Sequence, residues 1–191
     1  MSNEKAHGLD AVASALTQAN STGDSATAKG VYTMQCLDAD GNLKWEARCP
    51  NLVVNEGLQD MNAQYFKGSA YTAAWYIGLY GAAASNSPAA GDTMASHAGW
   101  IEIVPYSNAT RPVATFGTAT TANPSVQTNS ASPASFTINA TATVGGAFLV
   151  SNSTKSGTTG VLFSAGDFTA GSKTVTSGDT INVTYTLSAS G

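Results

Sequence analysis

The sequence predicts an all-β fold: a two-sheet, jelly-roll-like β-sandwich with one short α-helix near residues 55–67. Three observations predict it. Past residue 30 the chain is a succession of short Val-, Ile-, Phe-, Tyr- and Thr-rich runs separated by Gly, Pro, Asn and Asp turn signals, the pattern of a sandwich or barrel. Only residues 55–67 combine helically spaced apolar residues with both a start and a stop signal. Charged residues are 10% of the chain, against about 25% in ordinary soluble domains. Ala, Ser, Thr, Gly and Asn fill the deficit, so solubility rests on hydroxyls and amides, as in secreted or virion-type β proteins.

A chain of 191 residues is read as one domain that buries roughly 70% of its unfolded surface. We divide it into a flexible N-terminal arm, residues 1–29, and a single β-sandwich domain, residues 30–191. The net charge of −4 comes from 12 acidic and 8 basic residues with no run of Lys or Arg. A groove that neutralises phosphates is therefore not expected, and nucleic acid is excluded as a partner. The first residues are polar and lack the apolar core of a signal peptide. No run of about 18 apolar residues is present, so no membrane span is expected.

The arm is Ser-, Thr-, Ala- and Asn-rich. Leu9, Val12 and Leu16 have helical spacing, but a helix over 8–19 with three apolar residues is marginal in water. Two readings stay open: a disordered terminus, or an arm that orders when laid on a partner.

Residues 31–49 predict a hairpin. With Asp40-Gly41 as its two-residue turn, Cys36 faces Trp45 and Cys49 faces Tyr32. Cys49 then lies about 13 Å along the strand from Cys36's partner at ~3.3 Å per residue. That is too far for a disulfide, so both cysteines are expected free, as in a reducing cytosol. Pro50 ends the second strand.

Asn55 is the predicted N-cap, with Glu56 complementing the dipole of the first turn. Val54, Leu58, Met61 and Tyr65 form the expected buried stripe, and Gly68 is the stop. Residues 74–80 then predict a central strand covered on both faces: Trp75, Ile77 and Leu79 point one way, Tyr76, Gly78 and Tyr80 the other. Residues 81–98 read as a long loop and a variable contact surface. Further strands are expected at 100–104, 112–117, 135–144, 147–151, 161–163, 173–176 and 180–187. The turn signals between them include Gly145-Gly146 and Gly166-Asp167. The similar segments Thr137-Ile-Asn-Ala-Thr and Thr180-Ile-Asn-Val-Thr are read as two Thr-faced strands of equivalent type.

Candidate chemistry is sparse. Asp38, Asp40, Asp92, Asp167 and Asp179 sit in turn contexts, where Asp caps its own backbone. His7 lies in the arm, and His97 has no second histidine or cysteine at metal spacing. Gly23-Asp24-Ser25 has no strand before it, and no nucleophile elbow or phosphate-binding glycine motif exists. Asn20, Asn108, Asn139, Asn152 and Asn182 stand in glycosylation-type triplets that a Ser/Thr-rich chain produces by chance. Trp45, Trp75, Trp100, Tyr71, Tyr76, Tyr80 and Tyr106 have two readings: core filling or a sugar-binding face. No catalytic, cofactor-binding or metal residue is assigned, and no cofactor is expected.

Several segments carry a resemblance: Asn51-Leu-Val-Val-Asn-Glu-Gly-Leu58, Trp75-Tyr-Ile-Gly-Leu79, Ala90-Gly-Asp-Thr-Met-Ala-Ser-His-Ala-Gly-Trp100 and Asn108-Ala-Thr-Arg-Pro112. Phe136-Thr-Ile-Asn-Ala-Thr141, Gly146-Ala-Phe-Leu-Val150, Ser156-Gly-Thr-Thr-Gly-Val-Leu-Phe163 and the 175–185 segment extend it. Together they resemble a family of tailed-bacteriophage virion structural proteins over roughly residues 50–188. The resemblance implies a non-enzymatic capsid cement or decoration protein. Such a protein would be made in the host bacterial cytoplasm, bind the major capsid protein on the outer capsid surface, bridge capsomers and associate with itself as a dimer or trimer. Residues 1–29 and 81–98 are the expected capsid contacts. The alternative is a tail or fibre-associated β module that binds host-surface glycans.

Overall fold

The structure, a computed structural model, describes residues 26–67, 74–81 and 87–191. Among the described residues it is the predicted all-β sandwich with one helix. Residues 1–25, with the 8–19 helix expectation, His7, Asn20 and Gly23-Asp24-Ser25, lie outside the described residues, as do Gly68 and Tyr71.

The first sheet is built around the C-terminal strand. In order, β1 (Thr27–Leu37) and β2 (Leu43–Pro50) form the hairpin, and β12 (Thr180–Ser190) lies antiparallel along the whole of β1. The far side of β12 is shared by two short strands, β6 (Ser125–Thr128) and β7 (Ala134–Thr137). Asn129 fills the gap between them. Its side chain accepts from Tyr185 N–H at 2.6 Å and donates to the Val183 carbonyl at 3.2 Å, in the role a strand residue would play.

The second sheet runs β3 (Leu52–Val53), β10 (Leu162–Asp167), β9 (Gly146–Val150), β4 (Tyr76–Gly81), β5 (Ile101–Ile103), all pairs antiparallel. A two-stranded sheet, β8 (Ala142–Val144) with β11 (Lys173–Val175), completes the strands among the described residues. The main core lies between the large sheets: Tyr32, Met34, Cys36, Val183 and Tyr185 pack against Ile77, Leu79, Leu149 and Phe163. A second core covers the other face of the second sheet, where Tyr80, Phe148, Val150 and Leu162 meet Val54, Met94 and Trp100. β4 is thus covered on both faces, as its sequence predicts. Gly78 makes this possible: the Phe148 ring lies where a Cβ would stand.

The hairpin register holds, with Cys36 opposite Trp45 and Tyr32 opposite Cys49, and both cysteines are free and buried. Two local expectations about this region are corrected. β1 begins at Thr27, so residues 27–29 belong to the sheet and not to the arm. The turn is wider than Asp40-Gly41. Asp38 N–H donates to the Asn42 carbonyl, and the Asp38 carboxylate accepts from the Asp40 and Asn42 N–H groups, closing a loop over 38–42. A register shift at Cys36/Leu37 then restores the pairing.

The helix α1 (Asn55–Phe66) starts one residue earlier than expected: Val54 is the N-cap, without a side-chain cap bond, and Asn55 is already helical. Glu56 instead accepts from Leu162 N–H at 2.9 Å and ties the first turn to β10. The predicted stripe is also corrected. Gly57 is the residue seated on the sheet, so close that a Cβ would overlap the Phe163 carbonyl. Val54 and Met61 follow it inward, whereas Leu58 and Tyr65 project outward with Phe66. The smallest residue, not the apolar series, decides which face packs.

Other departures have the same kind of cause. Residues 112–117 form no strand: Val113 makes an isolated bridge to Tyr76, with Ile77 N–H donating to the Pro112 carbonyl and Ala114 N–H to the Trp75 carbonyl. Pro112 has no N–H to return a bond to Ile77. The expected strand 135–144 is split: β7 pairs with β12 and β8 with β11. Its supposed equivalent, Thr180-Ile-Asn-Val-Thr, lies along the centre of the first sheet; Thr137 and Thr180 are in fact partners across it. Gly146 and Gly166 are strand residues, not turn residues. Gly146 is overlaid by the Tyr80 ring and Gly166 by the Pro50 carbonyl, so both mark close approach and not reversal.

Candidate functional site

Of the candidate carboxylates, Asp38, Asp92, Asp167 and Asp179 hold neighbouring groups in place, whereas Asp40 stands exposed in the hairpin loop. Asp38 caps its own loop. Asp167 closes β10 and accepts from the Tyr80 hydroxyl at 2.5 Å. Asp179, almost fully buried, accepts from Thr176 N–H and forms an ion pair with Lys44 at 2.6 Å. Burial alone would raise the Asp179 carboxyl, but the Lys44 ammonium and the Thr176 donors outweigh it and hold the carboxyl below its ordinary range. No group of three or more His, Cys, Asp or Glu among the described residues could hold a metal ion.

The described part of the 81–98 loop covers the second core through Asp92 and Met94, while Ser87, Ala89, Ala90, Gly91, Ala95, Ser96 and Ala98 stay exposed. Asp92 is buried, where its Oδ2 accepts from the Trp100 indole at 2.9 Å and from Ala89 N–H at 3.0 Å. Trp100 lies 5.1 Å, centroid to centroid, from both Tyr80 and Phe148. His97 stacks on Trp100 at 3.9 Å, its Nδ1 3.0 Å from the Trp100 carbonyl. His97 is thus held by stacking and by the Trp100 carbonyl.

Of the aromatics read as core or sugar face, the described ones are drawn into the cores. Trp100, Tyr80 and Tyr106 are buried, and Trp45, Trp75 and Tyr76 are half-buried at different places. Among the described residues the exposed aromatics are Tyr65 and Phe66, 84% and 80% exposed, in edge contact at the end of α1. Helical periodicity placed Tyr65 inside, so sequence reasoning missed this pair.

A second residue missed from the sequence is Arg111, which is 1% exposed. Its guanidinium grips Glu102 of β5 through two bonds and donates to the Asn152 and Gly157 carbonyls. It also lies over the Phe148 ring at 5.2 Å. Glu102 in turn accepts from Ser156 N–H. The Asn-Ala-Thr-Arg-Pro segment is therefore an anchor for the 152–157 loop. Lys155 adds to it by donating to the Tyr106 carbonyl at 2.6 Å while resting 3.8 Å from the centre of that ring.

A recess of about 520 Å3 opens between the two large sheets beside α1. Trp75, Leu149 and Phe163 line its second-sheet side, Tyr185 and Leu187 its first-sheet side, and Asp60, Met61 and Gln64 the helix side. The lining is mostly apolar, in the size range of binding sites. It holds one charged residue, Asp60, among the described residues. The Gln64 Oε1 in its wall is buried without a hydrogen-bond partner.

Comparisons with protein-family models, with curated protein sequences and with solved structures find no match for this chain. No helix of the described residues is long and apolar enough to cross a membrane.

Proposed function

We propose that the chain is a non-enzymatic virion structural protein of a tailed bacteriophage: a cement protein that binds the outer capsid surface and bridges capsomers. The observation that carries the reading is where the resemblance motifs fall. Trp75-Tyr-Ile-Gly-Leu79 is the doubly covered central strand, the 90–100 segment is the lid of the second core, and Arg111 is the buried anchor. The candidate groups for chemistry, from Asp92 to Asp179, are meanwhile spent on holding loops. A cement protein needs that kind of rigidity: it adds stability by burying surface between subunits, summed over many modest copies. Low charge and the absence of a basic stripe fit the outside of a shell, away from packaged nucleic acid. The major capsid protein and further copies of the chain are the partners this reading requires.

Cryo-electron microscopy of the particle that carries the protein tests it. Density repeated over the capsid surface at symmetry axes supports the reading. Density confined to the tail in a few copies overturns it and favours the glycan-binding alternative. Binding to undecorated shells adds a finer test for the arm. The cut belongs after Ser25, because Thr27 is already paired with Ser190; equal attachment with and without residues 1–25 removes the arm from the contact.

A further inference from the structure

We propose that the amino-terminal segment of this chain docks in its own inter-sheet recess, laying Leu9, Val12 and Leu16 against Trp75, Leu149 and Phe163. The proposal is independent of the capsid reading. It joins two features that are otherwise unused: an apolar recess of about 520 Å3 and an apolar series, spaced i, i+3, i+7, in the part of the chain outside the described residues.

Position favours it. The described chain enters the fold beside this recess: Thr27 pairs with Ser190 and Gly30 with Leu187, while Leu187 and its other neighbour Gln127 line the opening. From Thr27 back to Leu16 the chain reaches up to roughly 35 Å when extended, enough to turn back over the rim. Tethering sets an effective concentration in the mM range, so a contact too weak to hold a separate peptide is populated within the chain.

Charge and polarity point the same way. Asp60 is the one charged residue of the lining among the described residues. Lys5 precedes Leu9 by four positions, which puts a cation on the same helical stripe as the apolar series. The neighbouring Asp10 falls off that stripe. The unpaired Gln64 Oε1 supplies an acceptor that an incoming N–H can satisfy.

Hydrogen exchange on the full chain tests this. Amides of residues 9–16 should exchange at least tenfold more slowly than a random coil. The triple change Leu9→Ser, Val12→Ser, Leu16→Ser should restore the coil rate. So should Val113→Asp, at the half-exposed rim of the recess, with the near-ultraviolet circular dichroism of the fold unchanged. Asp60→Lys, on α1 and outside the core, should lower protection several-fold and covers the case in which Val113→Asp does not fold. Coil-rate exchange in the unmodified chain overturns the proposal, as does protection that survives the recess changes. Protection that rises with protein concentration also overturns it, because the segment then sits on a second copy.

Discussion

Arg111 and Glu102 form a two-bond ion pair inside the protein, Nε to Oε1 at 2.9 Å and Nη2 to Oε2 at 2.7 Å. The pair joins the edge strand β5 to the chain before the Val113 bridge, and its remaining donors and acceptors hold the 152–157 loop. Removing one partner leaves the other charge buried and unpaired, which costs about 3–5 kcal/mol. Arg111→Met and Glu102→Gln should each cost that much in urea unfolding. The double variant should cost clearly less than their sum, since no unpaired charge remains. Strictly additive losses would show that the two groups do not act as a pair.

Gly57 sets two effects against each other. In an exposed helix interior, Gly→Ala gains about 1 kcal/mol from propensity. At Gly57 the new methyl would overlap the Phe163 carbonyl, which is backbone and cannot rotate away. Overpacking of this kind costs about 1–3 kcal/mol, so contact outweighs propensity and Gly57→Ala should destabilise. Asn62→Ala, on the exposed face of the same helix, should stay within about 0.5 kcal/mol. A stabilised Gly57→Ala protein would mean that the helix stands off the sheet.

These two sites mark what the sequence could and could not disclose. Period-two alternation placed the hairpin face, and the assumed Asp40-Gly41 turn placed the Cys36–Trp45 register. That register holds although the turn is wider, because a one-residue slip would turn every buried side chain outward. The same logic found β4 and its two apolar faces. What escaped depends on partners far along the chain. Gly57 defeats the apolar stripe because Phe163 comes within contact from β10. Gly146 and Gly166 read as turns because nothing local announces that Tyr80 and Pro50 will lie on them. Arg111 drew no reading of its own, because its carboxylate and carbonyl partners are assembled only by the fold. The strand β6 (Ser125–Thr128) is half-buried along its length and polar, so it carries no alternation to detect.

Burial pushes the Cys49 thiol up to about 12 and the Cys36 thiol up to about 11. Both groups favour the protonated form in the fold. Their stabilisation is therefore complete below the unfolded value of about 8.5 and lost as pH rises toward 11 and 12. Neither thiol should react with a disulfide reagent at pH 8 in the native state, and both should react in denaturant. Stability should decline from about pH 9 upward, less steeply in Cys49→Ala. Rapid native-state labelling of either cysteine contradicts the buried placement.

Asp179 controls the opposite limb. Burial acts to raise its carboxyl, yet Lys44 at 2.6 Å and the Thr176 N–H at 2.8 Å hold it below the ordinary value. A lowered carboxyl contributes stability that is present above the unfolded value of about 3.9 and lost as pH falls through the folded one. The window thus lies below about pH 4. Asp38 also titrates low, held by the Asn42 N–H groups, but it is exposed and screened. Lys44→Met removes the cation and leaves the burial, so the Asp179 carboxyl should rise and acid unfolding should begin at higher pH. Asp179→Asn keeps an acceptor for Thr176 but no titrating group, so its stability should depend less on pH below 4 while being lower at neutral pH. The Asp179 carboxyl carbon followed by nuclear magnetic resonance decides the matter. A midpoint at the ordinary carboxylate value in the unmodified protein would remove Lys44 and Thr176 as its controlling partners.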